Sequence, residues 1–166
     1  LKKKQLEKQG RYMGVGVITA IEPAGVAVPN CQMGGITEAR VMMTPDGSVE
    51  VYSDRTEIGQ GTEISHATIV GDILGMNLED IYVKNVTSDY IGQGPLSSRG
   101  AVYPASAVAK AAKILKQKVI CCASTLLGIE QTDVVLEKGL IFSASDSEKK
   151  FTYKEFADKV FFFPGP

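Results

Sequence analysis

One short stretch constrains the fold of this 166-residue chain more than any other: the turn Gly59-Gln60-Gly61 between a strand-like run and a helical run. After the turn, apolar residues recur at spacings of three and four, which is the period of one helix face. These positions are Ile64, Ala67, Val70, Gly71 and Leu74. Gly75 then ends the predicted helix 62–74 as a C-cap residue. The chain must therefore combine strands with helices.

Further elements are predicted on both sides of this unit. Helices are predicted at 1–9, 105–127 and 153–160, the last behind a capping box at Thr152 and Glu155 with Phe151 and Phe156 as its hydrophobic staple. Strands are predicted at 12–21, 36–44, 48–53, 81–86, 134–136 and 140–143, with Pro45-Asp46-Gly47 as a hairpin turn. This order predicts a single α+β domain over residues 1–166, a two-layer mixed sheet with covering helices.

A second glycine-rich loop, Gly94–Gly100, also lies between a predicted strand and a predicted helix. Its successive backbone amides and hydroxyls can form an anion-binding nest, and Arg99 can make a bidentate contact with phosphate. The Gly59–Gly61 turn likewise allows close approach of a ligand to the backbone and to a helix N-terminus. Each pattern is also typical of an ordinary connection, a tight turn with an exposed Gln or a surface loop with a solvated Arg. The sequence permits both loops to meet one ligand.

Composition excludes several classes of partner. Eighteen basic and nineteen acidic residues give a net charge of -1, which offers no sequence-wide attraction for nucleic acid or anionic membranes. No apolar run approaches the roughly 20 residues of a membrane span. Three cysteines, two of them adjacent at Cys121 and Cys122, make a poor disulfide framework and favour a reducing compartment, the cytoplasm. We expect Cys121 and Cys122 to be buried thiols of the long helix.

The sequence offers no catalytic constellation. His66 is the single histidine, so a His-based metal cluster or a triad with a second histidine cannot form, and we expect it on a helix surface or in packing. The carboxylates show no paired acid–base arrangement. The chain lacks an initiator Met and stops abruptly at Phe161–Pro166, so we expect it to be cut from something longer.

Residues 57–75 closely resemble the Gly-Gln-Gly turn and helix of the molybdenum hydroxylases, the family of xanthine dehydrogenase, aldehyde oxidoreductase and aerobic carbon monoxide dehydrogenase. Residues 94–112 are similar to the next part of that pattern, a Gly-x-x-x-Ser-Arg loop and an Ala-rich helix with several Lys. The segments 11–16 and 45–48 also resemble it. The resemblance covers nearly the whole chain.

The resemblance implies a molybdopterin cofactor, often a cytosine dinucleotide in this family, and oxidation of aldehydes, purines or related small substrates with water. It implies iron–sulfur clusters and FAD in partner subunits or domains, together with the remaining parts of the molybdenum subunit. By motif position, Gly59, Gln60 and Gly61 would contact the pterin and its pyrophosphate. A second set, Ser97, Ser98, Arg99 and Gly100, would hold the cofactor through amides and hydroxyls.

The chain also departs from the family pattern. Thr68 stands where the family usually has Gln, and Pro95 replaces a hydroxyl residue. The family's Gly-Gly-aromatic cofactor loop is absent, as is its Gly-x-Gly-Glu motif with the catalytic base. We therefore expect no catalytic residue here and no activity in isolation. Two alternatives stay open: a degenerate member serving as an assembly or interaction module, and an independent phosphate- or nucleotide-binding domain.

Overall fold

The computed structural model of the chain describes residues 2–21, 37–54, 56–85, 98 and 100–162. A short helix, α1, covers Lys2–Glu7. As predicted, the chain then mixes strands and helices.

The first sheet has three strands: β1 at Ala39–Met43, β2 at Val49–Ser53 and β3 at Ile81–Asn85. Their order is β1-β2-β3, with β2 antiparallel to β1 and parallel to β3. The predicted turn joins β1 to β2, and Asp46 fixes it by accepting hydrogen bonds from the Thr44 and Ser48 hydroxyls. Those bonds, Thr44 first, lower the pKa of Asp46 to about 2.

Two helices cover this sheet. Helix α2, Thr62–Leu74, connects β2 to β3, and helix α3, Tyr103–Leu127, follows β3. Both bury one stripe of side chains against the strands. The buried apolar side chains include Val49, Val51, Val70, Leu74, Val108, Ala112, Val119 and Ala123.

A second, antiparallel sheet contains β4 at Val134–Glu137, β5 at Leu140–Ser143 and β6 at Lys150–Thr152. Helix α4, Tyr153–Phe161, starts directly after β6. The predicted capping box is confirmed: the Glu155 amide donates to Thr152 Oγ1 at 3.2 Å, and the Thr152 amide donates to Glu155 Oε2 at 2.8 Å. Phe151 packs against the core in which Phe156 is buried.

The chain thus has two halves, the first sheet with α2 and α3 and the second sheet with α4. They meet at the end of α2. The Gly139 amide donates to the Gly75 carbonyl at 2.7 Å, and the Tyr153 hydroxyl donates to the Leu74 carbonyl. Burial raises the pKa of Tyr153 above its ordinary value of 10, so the hydroxyl keeps its proton and remains a donor. These contacts join both sheets around one core.

The α+β class is confirmed, with helices covering sheets. The described strands form two separate three-stranded sheets, of which only the first is mixed. Strand β6 was not predicted, since it has only three residues and its last one, Thr152, begins the capping box. Residue 36 of the predicted strand 36–44, residue 86 of the predicted strand 81–86 and residues 87–97 of the connection that follows lie outside the described residues.

Two predictions about local structure are wrong. Residues 12–21 form no strand, because no described segment pairs with them, and side chains such as Val17 and Ile18 are exposed. Cys121 and Cys122 are free and exposed rather than buried. Helix α3 turns its stripe at Val119 and Ala123 to the core, which leaves the intervening thiols facing outward.

Candidate functional site

Two strand-to-helix connections leave the first sheet at the same edge. Strands β2 and β3 are parallel, and their last residues, Ser53 and Asn85, are paired in register. The carboxyl ends of parallel strands share one edge, where α/β proteins commonly bind ligands. From this edge one connection leads to α2 at Thr62 and the other to α3 at Tyr103. The topology therefore brings the two predicted loops together.

A cavity of about 430 Å³ lies between these connections. Its volume falls within the range of small-molecule sites, roughly 300–1,000 Å³. The described lining residues are Ile58, Gln60, Thr62, Ser65, His66, Ile69, Ser98, Gly100, Ala101 and Ala105. Three sequence-predicted site residues, Gln60, Ser98 and Gly100, thus share one cavity.

The remaining predicted residues are placed differently. Gly59 and Gly61 belong to the turn but not to the described lining, and their φ angles of +102° and +75° are ones that glycine adopts without strain. Ser97 and Arg99 lie outside the described residues. Ser98 itself has a φ of +50°, which is uncommon for a residue with a side chain.

Helix α2 contributes a face that sequence reasoning did not assign to the site. Thr62, His66 and Ile69 follow one another at helical spacing and all line the cavity. His66 is only 1% exposed, and its Nδ1 lies 3.4 Å from Ser53 Oγ at the end of β2. The sequence signal that could have assigned His66 to the site is its position four residues after Thr62, on the side of the helix that meets the turn.

The Gly59–Gly61 turn is held by its own side chains. Glu57 Oε1 accepts hydrogen bonds from the amides of Gly59 at 2.8 Å and Gly61 at 3.0 Å, and Oε2 accepts from Glu63 at 3.2 Å. The Gly61 amide is the largest cause of the lowered pKa of Glu57, followed among the hydrogen bonds by Glu63 and Gly59. The carboxylate is therefore charged at neutral pH.

Gln60 completes the same network. Its Oε1 accepts from the Ile58 amide at 2.7 Å, and its Nε2 donates to the Thr56 carbonyl at 2.9 Å and to Thr62 Oγ1 at 2.8 Å. The expected exposed Gln is thus exposed but fixed in one orientation at the cavity.

The described part of the cavity lining is uncharged. It contains no Asp, Glu, Lys or Arg among the residues that the structure describes, but combines aliphatic side chains with hydroxyls, an amide and an imidazole. Such a surface can pack against a ring system and direct its polar groups. Thr68, a departure from the family pattern, is not among the described lining residues, and its hydroxyl donates to the Ile64 carbonyl at 2.8 Å.

The chain matches a known protein family over nearly its whole length. The family model described as molybdopterin cofactor-binding domain matches residues 1–165. Nicotine 6-hydroxylase large subunit of Paenarthrobacter nicotinovorans is 30% identical over 164 residues, 95% of this chain and 20% of that protein. Xanthine dehydrogenase molybdenum-binding subunit of Escherichia coli O157:H7 is 29% identical over 133 residues, 78% of this chain and 18% of that protein.

A solved structure shares the fold. The Cu,Mo-CO dehydrogenase in its carbon monoxide reduced state superposes with a TM-score of 0.72 at 28% identity, covering 99% of this chain and 22% of that one. The chain thus spans about a fifth of the length of the relatives it matches. Among the described residues, no helix is long and apolar enough to cross a membrane. With nearly its whole length matched, the chain belongs to the molybdopterin cofactor-binding domain family.

Proposed function

We propose that this chain forms one side of the cofactor site of a molybdenum hydroxylase that oxidises aldehydes, purines or related small substrates with water. The observation that carries the proposal is the convergence of Gln60, Ser98 and Gly100 on one cavity at the shared edge of β2 and β3. Two of the relatives, a nicotine hydroxylase large subunit and a xanthine dehydrogenase subunit, support it.

The residues of the cavity fit a pterin. Ile58 and Ile69 offer apolar contact to a planar ring. The Ser98 hydroxyl and Gln60 Oε1, which can accept a second hydrogen bond besides the one from the Ile58 amide, can meet its polar edge. The fixed Gln60 side chain loses little further rotamer freedom on binding, which favours affinity. When bound, the molybdenum cofactor supplies two-electron oxidation of the substrate.

Individual cofactor-binding roles follow from this arrangement. Gln60, Ser98 and Gly100 bind and orient the cofactor directly, and Gly59 and Gly61 give the turn its shape. We assign Ser97 and Arg99 to the same loop contact by their positions in the family motif. The sequence has no Gly-x-Gly-Glu motif to supply a catalytic base, so we propose that the chain alone is inactive.

The proposal extends to the wider assembly. The remaining parts of the molybdenum subunit supply the other side of the site, and partner subunits or domains carry iron–sulfur clusters and FAD. The cofactor is a molybdopterin, of which the cytosine dinucleotide is one form. The free thiols of Cys121 and Cys122 are compatible with a reducing compartment, which we propose is the cytoplasm.

Cofactor content of the complete protein tests this proposal. Molybdenum and pterin per protein are measured in wild type, in Gln60→Ala and in Gln117→Ala, an exposed glutamine of α3 away from the cavity. We expect about one cofactor per wild-type molecule, at least a threefold lower content or activity in Gln60→Ala, and no change in Gln117→Ala. A complete protein without molybdopterin contradicts the proposal.

The alternatives give different results. Equal cofactor content in wild type and in a double Gln60→Ala, Arg99→Ala variant favours an assembly or interaction module. Tight binding of a nucleotide to the 166-residue chain, measured by titration calorimetry, favours an independent nucleotide-binding domain.

A further inference from the structure

The Gly59–Gly61 turn contains an internal anion. Three backbone amides, those of Gly59 and Gly61 in the turn and of Glu63 in the first turn of α2, donate to the two carboxylate oxygens of Glu57 at distances of 2.8 to 3.2 Å. Amides at a helix N-terminus are the groups with which proteins bind phosphate. Here a side chain of the same turn already occupies them.

The location of this carboxylate has an electrostatic consequence. A second anion at the same amides would lose these donors to Glu57 and would lie beside a negative charge. Glu63, the acidic residue in the first turn of helix α2, adds a further negative charge. The turn therefore disfavours a phosphate at the place where its glycines and helix dipole would otherwise favour one.

The same carboxylate also orders the ligand-facing side chain. Glu57 fixes the backbone on both sides of Gln60, through Gly59 and Gly61, while Gln60 bonds to Ile58 and Thr62. The two side chains thus hold one loop conformation jointly, with Glu57 inside the turn and Gln60 at the cavity.

We propose that Glu57 is a positioning residue that closes the amide nest of the turn to phosphate and presents Gln60 to an uncharged part of the ligand. The identity of that ligand as molybdopterin rests on the proposed function; the closure of the nest does not. It follows that the phosphates of the cofactor bind elsewhere, contrary to the expectation that this turn holds the pyrophosphate.

Inorganic phosphate tests the closure directly. Amide signals of Gly59, Gly61 and Glu63 are followed by NMR in the full 166-residue chain while phosphate is added. We expect shifts at least three times larger in Glu57→Ala than in wild type. Glu57→Gln, which keeps an acceptor oxygen but removes the charge, is expected to lie between them. Glu79→Gln, an exposed carboxyl of the turn before β3, should match wild type.

If phosphate shifts the three amides equally in wild type and Glu57→Ala, the closure is wrong. Glu57→Gln keeps the test valid where Glu57→Ala unfolds, since its turn retains an acceptor for the amides. In that case equal shifts in wild type and Glu57→Gln overturn the proposal.

Cofactor retention in the complete protein tests the positioning. We expect at least a threefold loss of bound pterin in Glu57→Ala, partial rescue by Glu57→Gln and none in Glu79→Gln. Full retention in Glu57→Ala together with loss in Gln60→Ala overturns the positioning of Gln60 by Glu57. Full retention in both contradicts the proposed site instead, and the phosphate titration still decides whether the nest is closed.

Discussion

At the scale of single residues, two glycines with nearly equal backbone angles differ in why glycine is required. One is needed for its backbone conformation alone, and the other also for the close packing around it. Gly75 and Gly128 end α2 and α3 with φ angles of +64° and +63°. An added Cβ at Gly75 would lie 2.3 Å from the Leu136 carbonyl oxygen, whereas at Gly128 it would meet nothing within 4 Å. Gly75 is therefore required for the contact between the two halves of the chain, and Gly128 only for its turn.

We predict that Gly75→Ala lowers the free energy of unfolding by at least about 3 kcal/mol, because it adds a clash with backbone to the strain of positive φ. Gly128→Ala, the matched control, should lose about 1 kcal/mol from strain alone. Urea denaturation of both variants measures the difference. Equal losses would show that the Gly75–Leu136 contact can relax without cost.

Asp46 gives a pH-dependent prediction at the same scale. Its pKa is lowered from 3.8 to about 2 by hydrogen bonds from Thr44 and Ser48. Its stabilising effect is thus present above pH 3.8 and is lost as the pH falls through about 2. Asp46→Asn should flatten the loss of stability between pH 4 and 2, whereas Asp72→Asn, on the exposed face of α2, should not. Parallel acid-unfolding curves for wild type and Asp46→Asn would refute the assignment.

At the scale of elements, local sequence signals predicted the helices and turns that neighbouring residues determine. They missed features that depend on pairing with residues far away in the sequence. Helix α2 was predicted with its observed ends, 62–74, because its apolar period and Gly75 are both local. Residues 12–21 have strand composition, but a strand requires a partner and none is described. Strand β6 has only three residues, too few for an alternation to be recognised.

The candidate site shows the same division. The glycines of 59–61 revealed a special turn, and the parallel pairing of β2 and β3 then brought the second loop to it, which the sequence permitted but could not show. The role of Glu57 could not be read from its spacing, since a carboxylate two residues before a glycine can equally face solvent. His66 was expected on a helix surface or in packing. It is buried and contacts Ser53, thirteen residues away in the sequence, which the local pattern could not show.

The capping box of α4 carries a prediction of its own. Thr152→Ala removes the acceptor for the Glu155 amide at the start of a nine-residue helix that buries Phe156. We expect a loss of about 1 kcal/mol in the free energy of unfolding. Thr125→Ala, whose exposed hydroxyl bonds to the Cys121 carbonyl within α3, should change it by less than about 0.5 kcal/mol. A loss no larger than that of Thr125→Ala would mean that tertiary packing alone holds α4.

At the scale of the whole molecule, the buried core runs from Met43 to Ala157 and includes residues from both sheets and from α2, α3 and α4. The contacts at Gly75 and Tyr153 connect these parts. We therefore propose that the described residues 37–54, 56–85 and 100–162 unfold as one cooperative unit, in line with the predicted single domain. Residues 12–21 contribute no buried side chain to this unit.

This division can be measured, because the apolar side chains outside the core are exposed. Val17 and Ile18 are 88% and 90% exposed, whereas Val51 is completely buried. We predict that a double Val17→Ser, Ile18→Ser variant of the 166-residue chain keeps its free energy of unfolding within about 0.5 kcal/mol of wild type. Val51→Ser should lose about 3 kcal/mol, since it leaves a cavity and buries a hydroxyl. Side chains that remain in water in the folded state have little burial energy to lose. A loss above about 1 kcal/mol in the double variant would therefore mean that residues 12–21 pack on the domain.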